Sequence, residues 1–204
     1  MNAYRTVART GTAEVEVRRS RFLAVVTRVE DEAAARDVIA VVRREHHDAR
    51  HHCSAFVIGA DASLRRSNDD GEPAGTAGAP MLEVLTRRDV SDVVAVVTRW
   101  FGGTLLGAGG LVRAYGDAVG LALDAAGTRQ RRLLHTMRVT APAAEAGALD
   151  HRLRAMGEVS DVEYGTEVVF TVGVRDAARF AEDVAGASAG RATVEPSGTA
   201  WVDV

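Results

Sequence analysis

The first apolar positions fall in two β-rich runs, Glu14 to Val17 and Phe22 to Val29. The charged stretch Arg18-Arg19-Ser20-Arg21 splits them, which predicts a hairpin. Ala34, Val38, Val41 and Val42 then recur at helical spacing and predict a helix over Glu32 to His46. Its charges agree with the dipole, with Glu30, Asp31 and Glu32 at the start and Arg43 and Arg44 in the last turn. Ser54 to Ile58 reads as a short buried strand. A polar, glycine-rich passage follows from Asn68 to Gly78, and Pro80 fits the first position of a helix running to Arg88. Val93 to Thr98 is a continuous apolar run, the pattern of a fully buried strand. It leads through Arg99-Trp100-Phe101 into a loop holding Gly102, Gly103, Gly107, Gly109 and Gly110. A helix from about Leu111 to Ala126 comes next, with Leu111, Tyr115, Ala118, Ala122 and Leu123 on its inner face.

Helical periodicity stops at Gly127, and arginines take over at Arg129, Arg131 and Arg132. Residues 129–135 are therefore expected to link a first domain, 1–128, to a second, 136–204. The second reads strand (Met137 to Ala141), helix (opened by Pro142, closed by Gly157), strand (Val159 to Tyr164) and strand (Glu167 to Val174). A helix (Asp176 to Ala187) and a last strand (Arg191 to Glu195) complete it. Val168, Phe170, Val172 and Val174 alternate as a half-buried strand should. A βαββαβ order of about 70 residues is the ferredoxin-like arrangement. The expected fold class is α+β, in two domains.

Composition narrows the function. With 47% apolar and 26% charged residues among 204, the chain is of ordinary globular type. No run approaches the ~20 apolar residues of a membrane span, and the opening residues carry no secretion signature. Cys53 is the single cysteine, so no internal disulfide forms and a cytoplasmic location is expected. The net charge of −3 gives no global attraction to nucleic acid, so such binding requires a local basic patch. All 25 basic residues are arginine. A lysine Schiff base, a P-loop lysine and a lysine general base are thereby excluded.

Two apparent motifs fail on context. Gly186-Ala187-Ser188-Ala189-Gly190 fits a nucleophile elbow, but a helix enters and a strand leaves, the reverse of what an elbow needs. His46, His47, His51, His52 and Cys53 lie within eight residues, with no second cluster to complete a zinc shell.

Two segments keep chemical interest. Asp69, Asp70 and Glu72, with Thr76 close behind, form an acidic turn in which Asp69 and Asp70 are weak candidates for a hard cation such as Mg²⁺. Asp, Gly and Pro are also what turns demand, and a solvated turn is the commoner reason for them. The glycine loop from Gly102 to Gly110 runs from a strand into a helix N-terminus, where bare amides suit an anion. Arg65, Arg66, Arg99 and Arg113 are candidates to clamp a phosphate around it, and Trp100 or Phe101 to stack on a base. Arg129, Arg131 and Arg132 extend the candidate basic patch.

The segments RSNDDGEPAGTAGAP and VVTRWFGGTLLGAGGLVRAY resemble the paired signature of the YigZ/IMPACT family, and EHHDARHHCSAF is similar to the segment before them. The resemblance implies a ribosomal-protein-S5-domain-2-like N-terminal domain and a ferredoxin-like C-terminal domain. It also implies a cytoplasmic protein linked to translation, whose eukaryotic relatives regulate initiation under stress by binding a protein effector. The leading expectation is a non-enzymatic, monomeric protein that contacts RNA, the ribosome or a translation-associated protein, with no cofactor and no membrane. The alternative is an Mg-dependent enzyme, or former enzyme, that binds a phosphorylated small molecule or nucleotide at the same loop. There Gly107 to Gly110 would cradle phosphates, and Asp69, Asp70 or Glu72 would hold the cation or act as base.

Overall fold

The early β-rich runs become three strands, β1 (Ala3–Val7), β2 (Gly11–Val17) and β3 (Ser20–Arg28), in a computed structural model that describes residues 2–204. Helix α1 (Glu32–Glu45) follows, its first turn capped by the Asp31 carboxylate, which accepts from the Ala34 amide at 2.8 Å. Then come β4 (His51–Ile58), β5 (Leu64–Asn68), α2 (Gly78–Arg87), β6 (Val93–Trp100) and α3 (Ala108–Ala126). The chain divides into two units, Met1–Arg131 and Arg132–Val204.

The first unit is built on an antiparallel five-stranded sheet in the order β2-β3-β6-β4-β5. Strand β6 sits at its centre because both of its faces are apolar. Val93, Ala95 and Val97 join the cluster formed with α2 and α3, while Val94 and Val96 join that formed with α1. Strand β4 divides its side chains the same way, sending Cys53, Ala55 and Val57 to the first cluster and Phe56 and Ile58 to the second. Strand β5 reads Leu-Arg-Arg-Ser-Asn and is exposed over most of its length, as an edge strand can be. That polarity hides it from an apolar-pattern reading.

Residues 128–142 form one strand, β7 (Thr128–Pro142), so the stretch expected to link the domains is extended and hydrogen-bonded. Its first residues stay with the first unit. The Ala8 amide donates to the Gly127 carbonyl at 3.1 Å, and Arg131 donates to the Tyr4 hydroxyl at 2.9 Å. The boundary between the two units, after Arg131, falls inside the 129–135 stretch, which is strand and not irregular loop.

The second unit continues with α4 (Ala143–Met156), β8 (Glu158–Tyr164), β9 (Glu167–Val174), α5 (Ala177–Ser188) and β10 (Thr193–Asp203). Strand β9 pairs antiparallel with β7 on one side and β8 on the other, and β10 pairs with β7. The order β10-β7-β9-β8 is that of a ferredoxin-like βαββαβ unit. Its core is Val139, Phe170 and Val172 from the sheet with Leu153, Phe180 and Val184 from the helices. Both units are α+β. Among the described residues no helix is long and apolar enough to cross a membrane.

Candidate functional site

The acidic turn is folded around its own carboxylates. Asp69 Oδ1 accepts from the amides of Ala77 at 3.0 Å and Gly78 at 2.8 Å, and Oδ2 accepts from Gly75 at 2.8 Å. Burial pushes the Asp69 carboxyl up, but the three amides outweigh it and hold the group below the usual carboxylate range. Capping by this remote residue lets α2 begin at Gly78 rather than at Pro80. Asp70 accepts from Arg43 at 2.7 Å through Oδ1 and from the His52 amide at 2.7 Å through Oδ2. The oxygens of both candidate cation ligands are thus taken by protein donors. Thr76 donates to the Pro73 carbonyl at 2.6 Å and closes the same turn.

Glu72 is the exception, because it turns inward. Its Oε1 accepts from Arg99 Nη1 at 2.6 Å and from the Tyr115 hydroxyl at 2.8 Å. Arg99 is 5% exposed, and its Nη2 reaches Ser20 Oγ at 3.4 Å. Cys53 Sγ lies 3.0 Å from the Asp69 carbonyl oxygen and 3.3 Å from the Tyr115 hydroxyl. Burial pushes the Cys53 thiol up to about 12, and burial also raises the Tyr115 phenol, so both stay protonated and act as donors. A buried thiol held this way is structural and not a nucleophile.

Above this network lies a pocket of about 390 Å³, lined on one side by Arg50, His51, Glu72 and Arg99 and on the other by residues of the glycine loop and the start of α3. Phe101, 51% exposed, and Leu105, 80% exposed, stand at its edge. Gly102 is fixed by packing: a Cβ there would lie 2.0 Å from the carbonyl carbon of Arg19, and its amide donates to Ser20 Oγ at 3.1 Å. Gly103 has φ +85° with nothing within 4 Å of a Cβ built there. Gly107, at φ +72°, occupies the N-cap of α3 with no side-chain cap, and its carbonyl receives the amides of Gly110 and Leu111. Among the described residues the amides of Ala108 and Gly109 find no acceptor, as expected in a first helical turn, so these two remain for an outside one.

The structure does not gather the arginines that the sequence suggested as a clamp. Arg66 pairs with Phe56 and Arg99 with His51, five residues apart along β4, or about 17 Å at ~3.4 Å per residue. Arg65 bonds to the Ala62 carbonyl at 3.0 Å and lines a separate pocket beside Tyr4. Arg113 bonds to Gly109 O at 3.3 Å and faces a groove with Glu83 and Asp117. Arg131 is held by Tyr4 and lies 3.7 Å from Asp92. Arg129 also has a partner within the protein, and Arg132 lines a groove of the second unit. Trp100 donates to Asp48 at 2.8 Å and carries the Arg21 guanidinium 3.8 Å over its ring, so one face is already stacked.

Other arginines do surround the loop. Arg18 and Arg19 form the β2–β3 turn, at φ +47° and +67°, with their strands joined at Val17 and Ser20. Positive φ at both central residues is what a type I′ hairpin turn requires, and Asn-Gly is its usual occupant. Arg18 reaches the Leu105 carbonyl at 3.4 Å, Arg21 lies on Trp100, and Arg50 lines the pocket. None of these four is in an ion pair among the described residues. The hairpin arginines were legible in sequence as a turn with the wrong residues for a turn; Arg50 carried no such signal.

The fold and site define a two-unit α+β protein whose first unit presents a pocket lined by Arg50 and Arg99 at a glycine loop. The model of the Impact N-terminal domain matches residues 18–123, and the chain belongs to the IMPACT family. The IMPACT family member YvyE of Bacillus subtilis is 41% identical over 177 residues, covering 86% of this chain and 82% of that protein. The member YigZ of Escherichia coli is 47% identical over 122 residues, which cover 59% of this chain and 60% of YigZ. A solved structure described as that of a hypothetical protein has a TM-score of 0.69 and 35% identity, covering 95% of this chain and 97% of the other.

Proposed function

We propose that this protein is a non-enzymatic binding protein of the translation apparatus, and that it contacts ribosomal RNA through the arginines around the 101–107 loop. Membership of the IMPACT family supports the link to translation, which the signature segments already implied. RNA is favoured as ligand by the Arg18-Arg19 turn. Each left-handed, non-glycine residue costs about 1–2 kcal/mol. That cost falls at an exposed turn where Asn-Gly would remove it, and strain of this kind concentrates at functional sites. Arg21 and Arg50 lie around the same loop, Arg21 over the Trp100 ring and near Asp48, and the exposed ring of Phe101 can stack on a base.

The Mg-dependent alternative needs carboxylates free to hold a cation or take a proton. Asp69 and Asp70 are engaged by amides and Arg43, and Glu72 by Arg99 and Tyr115. No observation favours it.

Filter binding of ribosomal RNA across a salt series tests the reading. Binding at low salt that weakens linearly in log-log form is expected. No binding at low salt, or no salt slope, removes RNA as the ligand and leaves a translation-associated protein as the partner to seek.

A further inference from the structure

Glu72 keeps one atom that phosphate contacts do not explain. Its side chain is 3% exposed, and Oε1 is occupied twice, by Arg99 and by Tyr115. Oε2 accepts no hydrogen bond among the described residues, yet it is not sealed from solvent. The space it opens onto is the pocket of about 390 Å³ that Glu72 lines. Native proteins leave few polar atoms of so buried a side chain without a partner. Arg99 already balances the charge of Glu72, so the missing partner is a neutral N–H group and not a cation. His51 lines the same pocket and adds to this character. Its Nδ1 lies 2.9 Å from the Asp70 carbonyl oxygen, which can only accept, so in the neutral ring the proton sits on Nδ1 and Nε2 is an acceptor.

The other walls suit a flat, weakly polar ring. Pro73, Phe101, Leu105, Leu106 and Leu111 are apolar. The Arg99 guanidinium lies 5.7 Å from the Phe101 ring centre, which braces that half-exposed ring on one side and leaves the other for stacking. A pocket of this volume has room for a single nucleobase. In an A-form duplex the base faces are stacked and their pairing edges occupied, so only an unpaired base can enter.

We propose that the pocket takes one unpaired base bearing an exocyclic amino group, stacked on Phe101 and donating from that amine to Glu72 Oε2; the inference rests on the RNA reading and names what that site selects. Cytosine and uracil have rings of the same size and differ at this point. Cytosine presents an amine at C4, whereas uracil presents an oxygen there that the carboxylate would repel. Fluorescence anisotropy of end-labelled oligo(C) and oligo(U), each of about ten nucleotides, is measured with the full chain at about 50 mM salt. Oligo(C) is expected to bind about tenfold more tightly than oligo(U). Glu72→Gln must keep its amide oxygen toward Arg99 and Tyr115, which are both donors, and so turns its NH₂ to the pocket. Where that variant is folded by circular dichroism, the preference is expected to reverse in favour of oligo(U). Ala108→Leu, at an exposed position of the lining, fills the space and is expected to bring the two affinities together. Equal affinity for the two oligomers in the unaltered chain, or a preference for oligo(C) that survives Ala108→Leu, overturns the proposal whether or not Glu72→Gln folds. Equal affinities with ribosomal RNA still bound in a salt-dependent way would leave the RNA reading standing, whereas loss of ribosomal RNA binding itself would remove both.

Discussion

Glu72 and Arg99 set the character of the site at the scale of single residues. Their side chains are 3% and 6% exposed and 2.6 Å apart, so each is the other's replacement for water. Removing one partner of such a pair leaves a buried charge and costs about 3–5 kcal/mol, whereas replacing both by apolar groups can be neutral. Glu72→Gln is therefore expected to lower the unfolding free energy in urea by about that amount, and the double variant Glu72→Met, Arg99→Met to recover most of it. A single-variant loss under about 1 kcal/mol would mean that the pair is solvated. The sequence displayed both residues, but nothing in it joined them. Glu72 stood among three carboxylates of one turn, and only the fold distinguishes the one that points inward from the two that bind amides and Arg43.

Asp69 supplies the pH dependence at the same scale. Its folded carboxyl lies below the unfolded value of about 3.9. The stability it contributes is thus fully present above that value and is lost as pH falls through the lower folded one. Asp69→Asn should lower the urea midpoint at neutral pH, and the gap to the unaltered protein should narrow below about pH 4. A gap that stays constant into acid would show that the amides do not depend on the carboxylate charge.

At the scale of elements, most of the chain followed from its pattern. Strand β9 and the core of β6 were plain because period-two alternation and a continuous apolar run each have one structural meaning. Helix α1 was plain because its cap, apolar face and terminal charges agree. Strands β5 and the first part of β7 were hidden, since their side chains are polar and their stability comes from backbone pairing with neighbours distant in sequence. Helix α3 begins at Ala108, earlier than its apolar face, because the first turn is closed by the Gly107 carbonyl and needs no buried side chain.

The β2–β3 turn yields a sharper prediction. Replacing Arg18 by Asn and Arg19 by Gly puts the residues a type I′ turn prefers into a conformation already present. The double variant is expected to be more stable by about 1 kcal/mol or more, read as a raised melting temperature. An unchanged or lowered melting temperature would mean that the arginine side chains stabilise the fold through their own contacts, and the argument from strain would fail.

For the whole molecule, the two units carry different loads. The second is a ferredoxin-like layer with an ordinary apolar core. The first concentrates the unpaired arginines, the exposed loop aromatic and the pocket around one end of its sheet. Of the arginines expected to clamp a phosphate there, Arg65, Arg66 and Arg113 are hydrogen-bonded to carbonyls elsewhere in the unit. Sequence distance from a glycine loop says little about distance in an antiparallel sheet, where Arg66 and Arg99 lie on strands that share a neighbour and still end far apart.

The stabilised hairpin variant also tests the central claim, that arginines of the β2–β3 turn hold RNA phosphates. Filter binding of ribosomal RNA between about 50 and 200 mM salt is measured for the unaltered chain and for Arg18→Asn, Arg19→Gly. Without the two guanidiniums, each neutralising one single-strand phosphate, the log-log salt slope should become shallower by about 1.4, with weaker binding at low salt despite the gain in stability. An unchanged slope and affinity in that better-folded variant would contradict the account.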